Sequence, residues 1–180
     1  MTDPILLYEA AESLIRYVNK LEMEAPFSER EREEREYHEG PHVEFYYPYG
    51  PSVEIHIANA YEVREELKRL GYRFEPATKT WFKMIGWKRL VLEELDKLAG
   101  IGVKVGVGCI EWPLTPTYRR ILEALASKAR EVAEEIGAPL EEVLREYAYR
   151  TTTSSVEMPG KWHAYHAEAF ILYLKKAGIL

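Results

Sequence analysis

Between Ser52 and Val107 the apolar residues change period in a fixed order, and few folds satisfy that order. Val53, Ile55 and Ile57 alternate with Glu54 and His56, the period of a half-buried strand. Val63, Leu67 and Leu70 then fall at helical spacing, and Gly71, free to take positive φ, ends the run. Tyr72–Phe74 and Trp81–Lys83 flank the turn residues Glu75–Pro76–Ala77–Thr78–Lys79 as a hairpin. Leu90, Val91, Leu95 and Leu98 predict a second amphipathic helix over 87–99, and Val103, Val105 and Val107 a closing strand. Upstream, HVEFYYPYGPSVEIHI reads as a further hairpin bent at Pro48–Pro51. The expected fold is α+β, in ββαββαβ order. Strands near 43–47, 53–57, 72–74, 81–83 and 103–107 form one small mixed sheet, packed by helices near 61–70 and 87–99.

The flanks read as helical. Asp3 is placed to cap, and Pro4 to open, a helix over 4–23 whose stripe of Leu7, Ala11, Leu14, Val18 and Leu21 is expected to pack on the sheet. Glu29–Glu36 is eight consecutive charges of both signs, read as a solvated linker or exposed helix. Beyond the sheet, Thr115–Pro116 starts a long helix that runs to Gly137. Pro139 opens a shorter one, and a last helix covers 161–177. These three form a helical region packed on the module. The organisation is therefore a helix and linker over 1–40, an α/β module over 41–110 and a helical region over 111–180.

Chemistry-bearing patterns are few. No GxxxxGK[ST] phosphate loop occurs, and the glycines between Gly100 and Gly108 lack the strand-turn-helix setting of a nucleotide site. Aspartate is limited to Asp3 and Asp96, leaving Glu54 and Glu111 as the glutamates placed near strand ends for a magnesium site. His163 and His166 share a helix face, with Cys109 or Glu168 as conceivable further ligands, but structural roles are the expectation. The single cysteine, Cys109, excludes an internal disulfide and reads as a buried strand-end residue. The hydroxyls of Thr151–Ser155 read as a capping loop rather than a phosphate site. No catalytic residue, metal ligand or cofactor is assigned.

Charge supplies the remaining signal. The net charge is −6, yet residues 53–107 hold ten Lys/Arg against eight Asp/Glu, while the rest holds fourteen against twenty-two. Within that stretch Arg64, Lys68, Arg73, Lys79 and Lys83 are the candidate phosphate contacts, with Tyr72 or Trp81 to stack a base. Tyr46, Tyr47 and Tyr49 are further stacking candidates on a strand. Glutamine is absent and only two asparagines occur among many Glu, Arg and Lys, a composition that suits a thermophile. No signal peptide and no run of 18 apolar residues is read, so the expectation is a cytoplasmic protein without a membrane span.

The run LKRLGYRFEPATKTW resembles the small α/β modules related to the HARP domain of annealing helicases, through Leu67, Leu70, Gly71, Phe74, Pro76, Lys79 and Trp81. The resemblance implies DNA binding, usually of single strands or branched structures. The helicase motor is absent, so no ATPase activity is implied. The expected function is non-enzymatic nucleic-acid binding or accessory action, without sequence preference. Two alternatives stand beside it: a protein-interaction role, including a homodimer through a helix face, and an enzyme whose site the sequence does not reveal.

Overall fold

The computed structural model describes residues 2–49, 51–86, 93–107, 110–152 and 160–180, without the side chains of 48, 107, 152 and 160–165. The fold is α+β, and the chain divides into two compact units.

One unit is helical and takes in both ends of the chain. Helix α1 (Pro4–Glu24) starts as its residues dictate, with the Asp3 carboxylate accepting from the Ile5 N–H at 2.8 Å. Its stripe of Ala10, Ala11, Leu14 and Val18 is buried. Those residues pack against α5 (Pro116–Ile136) and α6 (Leu140–Thr152). Leu122, Leu125, Ala126, Val143 and Leu144 offer an apolar surface complementary to that stripe. Thr115 caps α5 through the Tyr118 N–H, and Gly137 closes it at φ 69°. Helix α7 (Gly160–Lys176) brings Phe170, Tyr173 and Leu174 into the same core. Arg119 and Arg130 donate to the carbonyls of Ala177 and Ile179, which ties the tail to α5.

The second unit holds the sheet. Helix α2 (Phe27–His38) is the charged run, helical and mostly exposed. Strands β1 (His42–Tyr49), β2 (Ser52–Ala58), β3 (Arg73–Glu75) and β4 (Thr80–Gly86) form an antiparallel sheet in the order β1-β2-β4-β3. A parallel bridge from His42 to Lys104 gives the sheet its mixed character. Strand β5 (Val105–Val107) departs from the expected register. It pairs with β6 (Ile110–Trp112), and Lys104 alone bridges to β1. Helix α3 (Arg64–Arg69) follows a short turn at Tyr61–Val63, and α4 (Leu95–Gly100) is the described part of the second amphipathic helix. Residues 87–92 of that expected helix, with Leu90 and Val91, lie outside the described residues. Gly71 takes φ 92°, as its place after α3 required.

Val53, Ile55 and Ile57 are fully buried on one face of the sheet, with Ile85, Leu67, Leu95, Leu98 and Val103 completing that core. Among the described residues, no helix is long and apolar enough to cross a membrane.

Candidate nucleic-acid interface

Register sorts the sheet residues onto two faces. Ile55 pairs with Lys83 and Ile57 with Trp81, so Lys83 and Trp81 share the core face. Glu54 pairs with Met84 and His56 with Phe82, which puts these four on the opposite face. On β1 an irregularity between Val43 and Phe45 inserts Glu44 as an extra residue. Phe45 consequently pairs with His56 and Tyr47 with Glu54, on the open face, while Tyr46 pairs with Ile55 on the core face.

The open face is aromatic. Phe45 stacks on His56 at 4.2 Å with an interplanar angle of 17°, and Phe82 lies on the other side of the imidazole at 5.6 Å and 15°. Three rings from β1, β2 and β4 thus stand in register across the sheet. His56 is held from both ends. Its Nε2–H donates to Glu54 Oε2 at 3.0 Å, and Nδ1 meets Thr80 Oγ1 at 2.8 Å. Thr78 Oγ1 lies 2.6 Å from Thr80 Oγ1, extending the chain of hydroxyls into the β3–β4 turn. Tyr47 and Tyr49 continue the face towards the β1–β2 turn, 53% and 55% exposed, their rings 5.5 Å apart. Met84 and Arg73 are also exposed there, Arg73 standing opposite Phe82 in the register.

The basic residues singled out from sequence do not converge. Arg64 donates from Nη1 to the Tyr61 carbonyl at 2.6 Å, and its guanidinium sits 3.7 Å over the Tyr61 ring. Lys68 pairs with Glu65 at 3.1 Å and lies over Trp81, on the core side. Lys83 points to the core face as well. Its ammonium donates to Glu94 Oε1 at 2.9 Å, and Glu94 is buried. Tyr72 is 3% exposed, and its hydroxyl donates to the same carboxylate oxygen at 2.9 Å. Burial and the Glu94 carboxylate push the Tyr72 hydroxyl far above the usual phenol range. A buried, bonded ring has no face for a base, so Tyr72 is a structural residue and not a stacking one. Lys79 is exposed in the β3–β4 turn at φ 56°. Of the five cations, Arg73 alone stands in register on the open face.

The remaining candidates separate. Tyr46, grouped with Tyr47 and Tyr49 by sequence, donates its hydroxyl to the Gly106 carbonyl at 2.6 Å. Glu54 serves His56, whereas the Glu111 side chain lies near Gly106 and Tyr37. Burial raises the Glu111 carboxyl, opposed by nearby His38 and aided by Glu34 and Glu33. Thr151 bonds back to the Ala148 carbonyl, and Glu168 pairs with Arg145. Cys109 and the side chain of His163 lie outside the described residues. Sequence reasoning missed Phe45 and Phe82. The bulge explains the first: uninterrupted alternation from Val43 would have turned Phe45 into the core.

No family model, curated protein or solved structure matches this chain.

Proposed function

We propose that the open face of the four-stranded sheet binds single-stranded nucleic acid, weakly and without sequence preference, as a non-enzymatic module. The observation that carries this reading is the aromatic set on one face of the antiparallel sheet, with Phe45, Tyr47 and Tyr49 exposed, Phe82 half-buried and Arg73 beside it. Aromatic side chains on a sheet offer π-faces to unstacked bases, each stack worth roughly 1–3 kcal/mol and indifferent to base identity. The HARP-like run over Leu67–Trp81 points to the same class of ligand.

The placement of the charges shapes the binding expected. Arg64 and Lys68 are occupied on the α3 side and half-buried Lys83 is paired with buried Glu94, while Glu54 and Glu75 stand on the open face. Stacking, not phosphate neutralisation, then supplies most of the affinity. Log affinity against log salt should have a slope no steeper than about −2, the worth of one or two phosphate contacts.

Fluorescence anisotropy at low salt on single-stranded DNA, RNA, duplex and forked DNA tests this. Single strands and forks bind better than duplex, and Tyr47→Ala/Tyr49→Ala weakens binding by about 1–3 kcal/mol per stacked base. Binding that prefers duplex, or that ignores the tyrosine replacements, refutes stacking on this face. Absence of binding to every probe leaves the exposed aromatics to a protein partner.

A further inference from the structure

We propose that His38, His42 and Glu44 bind a first-row divalent cation of the zinc type, at a site independent of the aromatic face. One ring nitrogen from each histidine and a carboxylate oxygen of Glu44 all lie within 4.8 Å of one another. Ligand atoms about a zinc ion in tetrahedral geometry stand roughly 3.3 Å apart, from bonds of about 2.0–2.1 Å. The exposed side chains of His38 and Glu44 can close that difference by rotation, while buried His42 is the fixed point.

The histidines are set in the ligand tautomer. Nδ1 of His38 lies 2.8 Å from the Glu34 carbonyl, and Nδ1 of His42 lies 2.7 Å from the Gly40 carbonyl. A carbonyl oxygen only accepts, so both Nδ1 atoms carry hydrogen, and Nε2 is the ring nitrogen left for an ion. This is the support that metal-bound imidazoles use: one ring N–H on a backbone carbonyl, the other nitrogen on the ion. Nε2 of His42 faces Glu44 Oε2 directly.

The backbone carrying the ligands is pinned at almost every residue. Lys104 donates its ammonium to the Glu36 carbonyl, and Asn59 donates its amide to the His38 carbonyl at 2.7 Å. The Lys104 N–H reaches the Pro41 carbonyl at 2.9 Å, and the Val43 N–H reaches the Lys104 carbonyl at 2.8 Å. The Tyr37 hydroxyl donates to the Val43 carbonyl at 3.0 Å, and its ring packs beside both imidazoles. The bulge has a role here too, since it leaves Glu44 as an unpaired extra residue next to His42. The carboxylates of Glu33, Glu34 and Glu111 stand within electrostatic range of one another, with His38 and the Lys104 ammonium beside them. Two imidazoles and one carboxylate suit zinc, cobalt or nickel rather than magnesium or calcium, which prefer all-oxygen sites. Three protein ligands also leave a coordination position for water.

The test is calorimetric titration of the full chain, freed of metal by chelation, with Zn²⁺, Co²⁺ and Mg²⁺, alongside the absorption spectrum of the Co²⁺ form. The expected result is one saturable Zn²⁺ per chain, Co²⁺ competing for it with a low-symmetry visible spectrum, and Mg²⁺ far weaker. His38→Ala and Glu44→Gln, both at exposed positions, should each weaken Zn²⁺ by more than about 100-fold. Asn59→Ala, which only loosens the support, should cost roughly 10-fold. Circular dichroism of each variant certifies the fold, and His163→Ala controls for capture by another histidine. Failure to saturate at one Zn²⁺, or affinity unchanged in both His38→Ala and Glu44→Gln, overturns the proposal.

Discussion

Lys83→Ala separates a structural lysine from a ligand-binding one. The Lys83 ammonium lies 2.9 Å from Glu94 Oε1, with side-chain exposures of 25% and 4%. The other donor to that oxygen is the Tyr72 hydroxyl, also at 2.9 Å, and the aliphatic stem of Lys83 packs within 3.6 Å of where a Gly71 Cβ would stand. Removing one partner of a buried pair typically costs 3–5 kcal/mol, because the remaining charge keeps its desolvation penalty without compensation. Lys83 is one quarter exposed, so water entering the gap recovers part of that, and about 2–4 kcal/mol is expected. This is a large share of the ~5–15 kcal/mol by which a domain is stable. Urea unfolding at pH 7, followed by circular dichroism and tryptophan fluorescence, measures it on wild type, Lys83→Ala, Glu94→Gln and the double variant. If an uncompensated carboxylate causes the loss, the double variant is more stable than Lys83→Ala, with a coupling of at least about 1.5 kcal/mol. Lys79→Ala, at an exposed turn position, should stay within about 0.5 kcal/mol of wild type. A Lys83→Ala protein within about 0.5 kcal/mol of wild type, or no relief from Glu94→Gln, would refute the reasoning.

Two further outcomes follow from the same unit. The Tyr72 and Tyr37 hydroxyls are both raised well above the ordinary phenol value by burial, Tyr72 by Glu94 as well and Tyr37 by Glu111 and Glu44. The unfolded chain releases these protons near pH 10 and the folded chain does not, so their stabilisation is complete below about pH 10 and declines above it. The decline approaches about 1.4 kcal/mol per pH unit for each tyrosine, and urea midpoints from pH 9 to 11.5 should show Tyr72→Phe with the shallower fall. Identical slopes would count against a protonated Tyr72 donor. Trp81 is half-buried on the core face, 5.5 Å from a Phe74 ring that is itself 49% exposed, so Trp81→Ala should cost about 2–3 kcal/mol, below the full-core range of about 3–5. A chemical melt losing under 1 kcal/mol would place the indole outside the core.

The local periods carried most of the fold. Asp3–Pro4 and Thr115–Pro116 start their helices, Gly71 and Gly137 end theirs, and β1 to β4 lie where alternation and turn chemistry put them. Each of these depends on interactions within a few residues, which a sequence states directly. The candidate interface was less legible. Arg64, Lys68, Arg73, Lys79 and Lys83 are near in sequence, but β pairing sends Lys83 inward and Arg73 outward. The Tyr46–Tyr49 cluster divides in the same way, with Tyr46 bonded to Gly106, sixty residues away.

Caps, helix ends, strand periods and the hairpins at 42–58 and 73–86 were determined by the sequence itself, because the forces that set them act within a turn or between adjacent strands. Tertiary structure alone decided three things. It assigned α1 to the C-terminal helices, since an apolar stripe names no partner. It paired β5 with β6, since a short Val-rich run fits more than one neighbour. It inserted the bulge at Glu44, whose single extra residue reverses every side chain after it, turns Phe45 out onto the open face and leaves His42 beside Glu44.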